Sequence, residues 1–159
     1  MALDENLKEE LLSLWSKAVK SHFVSREAFK LKCYDDAAGR AYYAMFRLLT
    51  FMNVLDGRDQ GSGHKETITA FNNDYVKTGL FPIEFGRIMS NLYKVRQTAD
   101  YDHFENVDKE TCQRCVEDAN LFLDTTRTYV EKIHPGLLPS RDVIIRSTTQ
   151  QSKGKGIND

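Results

Sequence analysis

The residues best suited to chemistry in this 159-residue chain lie in Arg96-Gln-Thr-Ala-Asp-Tyr-Asp-His103. Arginine is a fixed cation whose planar fork can hold a phosphate by two hydrogen bonds. Histidine can move a proton near neutral pH. Together they suffice for metal-free RNA cleavage, in which a 2′-hydroxyl attacks the adjacent phosphate. The imidazole would act as general acid or base, and the guanidinium would stabilise the developing charge. Asp100 and Asp102 could orient His103 or pair with Arg96. On spacing alone, an Arg–Asp salt bridge at a helix end beside a surface histidine accounts for the same residues.

Three further patterns carry chemical potential. Arg40, Tyr43 and Arg47 stand at i, i+3 and i+7, so a helix would put them on one face. Such a face suits phosphate or base contacts. It equally suits solvent, or a second subunit. The stretch 57–67, GRDQGSGHKET, has three glycines before His64 and Lys65. A phosphate loop needs Gly-Lys-Ser/Thr after four residues, but His64 separates Gly63 from Lys65 and no strand precedes the loop. An anion could still sit at the following helix N-terminus with His64 and Lys65, the alternative being a plain flexible loop. Cys112-Gln-Arg-Cys115 has metal-pair spacing, but zinc takes four ligands and no second pair exists. Two core cysteines are the better reading. No metal or cofactor is expected.

The elements that must position these residues are helical. The chain has only 3 Pro and 9 Gly, and 41% of it is apolar. That composition favours helices around a true core. Residues 4–32 keep Leu7, Leu11, Leu14 and Ala18 at helical spacing, with a break allowed at 21–25. Asp35 or Asp36 then suits the N-cap of the next helix. That helix, about 36–55, carries an apolar stripe of Ala38, Ala41, Met45, Leu48, Met52 and Leu55. A short helix over 64–76 ends at Gly79. Further helices are expected over 82–98 and 108–133, joined by an acidic, aromatic loop at 99–108. The tail from 136 to 159 is polar and expected to be loose. Within it, 142–146 is the only short strand candidate. The expectation is an all-α, up-and-down bundle of four main helices plus one short one, forming one domain over residues 1–135.

Charge and topology narrow the function classes. Lys and Arg total 22 against 23 Asp and Glu, a net charge of −1. That excludes a module binding nucleic acid by bulk charge, though not a local basic pocket. The acidic N-terminus is unlike a signal peptide. The most apolar stretch, residues 37–55, contains Arg40 and Arg47 and is a poor membrane span. Three cysteines are too few for a disulfide scaffold. A cytoplasmic protein is expected.

Several separated runs resemble one family. Asp36-Ala-Ala-Gly-Arg40-Ala-Tyr42-Tyr43-Ala-Met-Phe46 is similar to the signature helix of HEPN domains. Tyr75-Val-Lys-Thr-Gly-Leu-Phe-Pro82, Gly86-Arg87-Ile88 and Arg96-Gln-Thr-Ala-Asp100-Tyr101 follow in the family's order. The likeness spans residues 18–133. It implies a bundle that dimerises, and often a ribonuclease site composed from both subunits. The family's motif is Arg, four to six residues, then His; Arg96 and His103 fit its upper limit. Many relatives are toxins or phage-defence proteins, and many pair with a nucleotidyltransferase antitoxin of the MNT type. Some such antitoxins modify a tyrosine near the motif, which would be Tyr101. This branch often carries a histidine after its loop, where His64 stands, making it a second proton-transfer candidate. Other members are non-catalytic binding modules, here for a nucleotide or a nucleotidyltransferase.

Overall fold

The computed structural model describes residues 2–58, 63–103 and 106–154, and among these there are helices and no strands. Helix α1 spans Glu5–Lys30. Its N-cap Asp4 accepts a hydrogen bond from the Leu7 amide at 2.9 Å, satisfying one of the donors a helix start leaves open. The break allowed at 21–25 does not occur. His22 and Ser25 are buried there, and Ser25 Oγ donates to the Ala37 carbonyl at 2.6 Å. That bond ties α1 to the next helix and satisfies a hydroxyl that would otherwise disfavour the helix interior.

Helix α2, Tyr34–Leu55, is the central element, packed against α1 and three later helices. Its cap differs from the expectation. Cys33 occupies the N-cap, while the Asp35 carboxylate accepts from the Val107 amide at 2.8 Å. A tertiary partner has thus taken the aspartate that sequence logic would spend on the helix's own amides. Helix α3, His64–Phe71, continues into a π-turn over Asn72–Val76. Helix α4 covers Glu84–Tyr101 and α5 covers Lys109–Ile133, the latter capped by Asp108. Helix α4 therefore runs past Thr98, the expected end, and places Asp100 and Tyr101 on its last turn.

The core joins the stripe of α2 to Trp15 and Leu11 of α1 and to Phe122 and Leu123 of α5. Around the π-turn, Phe71, Phe81, Phe85 and Phe122 interlock with ring centroids 4.8 to 6.2 Å apart. Cys112 and Cys115 lie in this core. Burial pushes their thiols up to about 11 and about 12, so both stay protonated.

The segment after Pro135 corrects the expectation of a loose tail and of a strand at 142–146. A sixth helix, α6, runs over Arg141–Gly154 and packs on α1. Leu138 and Ile144 are buried, and the Trp15 indole donates to the Pro139 carbonyl at 3.3 Å. The polar composition misled because a few apolar side chains, Leu137 and Leu138 before the helix and Ile144 and Ile145 on it, dock a short amphipathic helix onto an existing face. No helix among the described residues is long and apolar enough to cross a membrane.

Candidate functional site

The site grows from α2 and α4. One face of α2 presents Arg40, Tyr43 and Arg47, as the spacing requires. These line a groove of about 460 Å³, joined by Ser21 of α1, by Asp35, Asp36 and Gly39 of α2, and by Asp100 of α4. Arg40 is exposed; Tyr43 and Arg47 are half-buried. The groove is mixed in sign along its length. Carboxylates stand at the N-terminal end of α2 and a guanidinium stands at Arg47.

Arg96 lies beside this groove, with its side chain only 12% exposed. Its Nη2 donates to the Tyr43 hydroxyl at 3.1 Å. Its Nε lies 2.8 Å from Asp100 Oδ2, a charge contact rather than an aligned hydrogen bond. The guanidinium also faces three rings, with Tyr42, Tyr43 and Tyr101 centroids at 5.3, 5.5 and 5.5 Å. Cation–π contacts strengthen as water is removed, so this shell holds the charge in place without neutralising it.

The opposite wall of the cluster contains His64. Its Nδ1 is 2.7 Å from the Tyr42 hydroxyl, and its ring stacks on Phe46 at 4.1 Å. Tyr42 is fully buried and packs edge-on against Tyr93 at 6.2 Å. Burial pushes the Tyr42 phenol well above its ordinary range, so it is always protonated. Burial, and then the positive charge of Arg96, lower the His64 pKa. The imidazole is therefore neutral at pH 7, with Arg96 close enough to act on it.

The predicted site residues fall into two groups. Arg40, Tyr43, Arg47, Asp100 and Arg96 meet around one groove, and His64 joins them through Tyr42. Lys65 is exposed on the first turn of α3. Tyr101 is 64% exposed although its ring touches Arg96. Asp102 caps α4 through its backbone amide, which bonds to Thr98 O at 3.2 Å. His103 is exposed just beyond that cap, and no contact among the described residues links it to Arg96. Residues 59–62 of the glycine-rich stretch, and Phe104 and Glu105 of the loop after α4, lie outside the described residues. Among the described residues no group of three or more His, Cys, Asp or Glu side chains could hold a metal ion.

Tyr42, Phe46 and Tyr93 were not singled out by spacing. Tyr42 sits inside the signature run next to Tyr43, but on the core-facing side of α2. The usable signal was its hydroxyl: a buried tyrosine needs a polar partner, and that partner has functional weight.

The family model described as HEPN domain matches residues 12–129. The chain belongs to the HEPN family. A protein of Methanocaldococcus jannaschii named "Putative toxin" is 30% identical over 123 residues, 77% of this chain and 83% of its own. A second protein of that organism with the same name is 27% identical, with 82% and 96% covered. A Thermotoga maritima protein named UPF0332 protein is 26% identical, with 80% and 97% covered. The HEPN match begins within α1 and ends within α5, so helix α6 lies beyond it while the residues it docks on lie within it.

Proposed function

We propose that this HEPN protein is a metal-independent endoribonuclease, the toxin of a toxin–antitoxin or phage-defence module. The observation that carries the reading is Arg96. A nearly buried guanidinium, caged by three tyrosine rings and bordering a groove with Arg40 and Arg47, is suited to a phosphate diester. The toxin names of two relatives support it. Phosphate would displace the Asp100 carboxylate from Arg96, exchanging one anion for another. Arg96 would then stabilise the charge that develops as the 2′-oxygen attacks. Arg40, Tyr43 and Arg47 would hold neighbouring phosphates and a base, and Lys65 would extend that track. Asp102 would support the end of α4. His103 would carry a proton only if substrate drew the end of α4 inward.

Two copies would bring two such grooves together, and the exposed Tyr101 is open to a nucleotidyltransferase of the MNT type. The test is cleavage of mixed cellular RNA in EDTA by partner-free protein. Wild type should cleave, and Arg96→Ala should lose about 10²–10³-fold while remaining folded. EDTA-resistant cleavage with that loss supports the reading; equal cleavage by both proteins overturns it.

A second reading is a non-catalytic module that binds a nucleotide or a nucleotidyltransferase. It is favoured by the exposure of His103 and by the engagement of Arg96 with Asp100. Folded wild type that binds RNA or a mononucleotide without cleaving would establish it.

A further inference from the structure

We infer that His64, held through Nδ1 by the buried Tyr42 hydroxyl, is the proton carrier of the Arg96 site. The inference rests on the endoribonuclease reading and deepens it. Three observations converge. The Tyr42 hydroxyl and His64 Nδ1 are 2.7 Å apart, which fixes the ring's orientation. Stacking on Phe46 at 4.1 Å fixes its plane. Tyr42 in turn lies 5.3 Å beneath the Arg96 guanidinium, so one buried side chain joins the cation to the imidazole. His64 Nε2 makes no hydrogen bond among the described residues. It is the nitrogen left for a substrate. His103 has no comparable support.

The arrangement performs a balanced step. With Nδ1–H donating to Tyr42 Oη, the Nε2 lone pair accepts the proton of the 2′-hydroxyl. The 2′-oxygen forms a bond to the adjacent phosphorus, and the bond to the 5′-oxygen breaks. The departing 5′-oxygen takes a proton from solvent, and the imidazolium returns its own to solvent. The products are a 2′,3′-cyclic phosphate and a 5′-hydroxyl. Arg96 faces the phosphate, so an anion bound there offsets the charge that otherwise disfavours a protonated His64. The ring would become a better base when substrate arrives.

The charged and titratable groups around the ring are known. Arg96 comes from α4, Tyr42 comes from α2, and Lys65 and Glu66 follow the ring on α3 itself. Only Arg96 acts on the ring strongly enough to reinforce burial.

The experiment compares RNA cleavage by wild type, His64→Gln and His103→Ala across pH 5–8, and measures binding of a 2′-deoxy oligonucleotide by each. His64→Gln should lose about 10²–10⁴-fold in cleavage, keep oligonucleotide affinity within a few-fold, and lose the acidic limb of the pH profile. His103→Ala should keep the acidic limb of the profile that His64→Gln loses. The reverse pattern, with His103→Ala inactive and His64→Gln active, overturns the inference while leaving the endoribonuclease reading intact. Absence of cleavage by folded wild type overturns that reading instead. In that event an NMR titration of His64 with and without inorganic phosphate decides whether the ring belongs to the Arg96 site. A phosphate-dependent rise in its pKa that Arg96→Gln abolishes supports the shared site, and an unmoved pKa overturns it.

Discussion

Two histidines in this molecule share the company of an arginine, and they are used in opposite ways. His22 lies where α1, α5 and α6 meet. Its Nε2 meets the Val116 carbonyl at 3.2 Å, and its Nδ1 accepts from Arg141 Nη2 at 2.9 Å. Arg141 also bonds Asn120 Oδ1 at 2.8 Å and Asp124 Oδ1 at 3.1 Å. Both ring nitrogens are occupied, and the residue is 2% exposed. His64 has one nitrogen bonded and one left over, and Arg96 shares the Tyr42 ring with it instead of bonding it. Saturation marks a structural site. An unspent nitrogen on a ring held beside a caged guanidinium marks a site that can do work.

The contrast is sharpened most by Arg141→Ala. It leaves His22 Nδ1, Asn120 and Asp124 without their shared donor and loosens α6 from α1. Chemical denaturation should show a loss of about 2 kcal/mol, at the lower end for the exposed Asp124 contact. RNA cleavage should not change. A large loss of cleavage would mean that α6 shapes the site and that the two regions are not independent.

The next effect is a pH dependence. Burial, then the charge of Arg141, lower the His22 pKa from 6.5 to about 4. In the unfolded chain the ring returns to its ordinary value, so below pH 6.5 the unfolded state binds the extra proton first. Stability from this group is therefore full above about pH 6.5 and is lost as pH falls toward 4. Between pH 7 and 5 that loss is on the order of 2 kcal/mol. Urea titrations of wild type and His22→Gln at both pH values should show the difference in slope. Parallel pH profiles would remove His22 as the cause.

The smallest effect belongs to Tyr42→Phe. It deletes one hydroxyl and leaves the ring stack on Phe46. Stability should change by about 1 kcal/mol. If His64 works through Tyr42, cleavage should fall several-fold and its pH profile should shift. An unchanged profile would separate the phenol from the chemistry.

Much of the fold was legible before any coordinates. The stripe Ala38, Ala41, Met45, Leu48, Met52 and Leu55 reads as the buried face of a helix, and the structure buries the first five and half-buries Leu55 at the helix end. The helix expected over 108–133 forms over Lys109–Ile133, with Asp108 as its N-cap. Two things were not legible. The spacing of Arg40, Tyr43 and Arg47 defined a face, but nothing local could say that Asp100, more than 40 residues on, lines its groove with Arg96 beside it. The tail's composition hid α6, because its docking depends on Trp15 and His22, which lie far away in sequence, as well as on Arg127 of the preceding helix.

What the chain's own order of residues determined is therefore the periodic part: which helices form, which faces are apolar, and the HEPN signature runs. Helical periodicity is a local property, set by side-chain direction every 3.6 residues. Only the tertiary structure decided which polar groups meet. Arg96 was paired with Asp100 by both, since they lie one turn apart on α4. It was paired with Tyr43 and Tyr42 by packing alone, and the same packing put His64, rather than His103, next to that cluster. Long-range meetings of this kind depend on how two surfaces fit. A one-turn shift of α3 along α2 would part the Tyr42 hydroxyl from His64 by about 5 Å and leave the sequence pattern untouched.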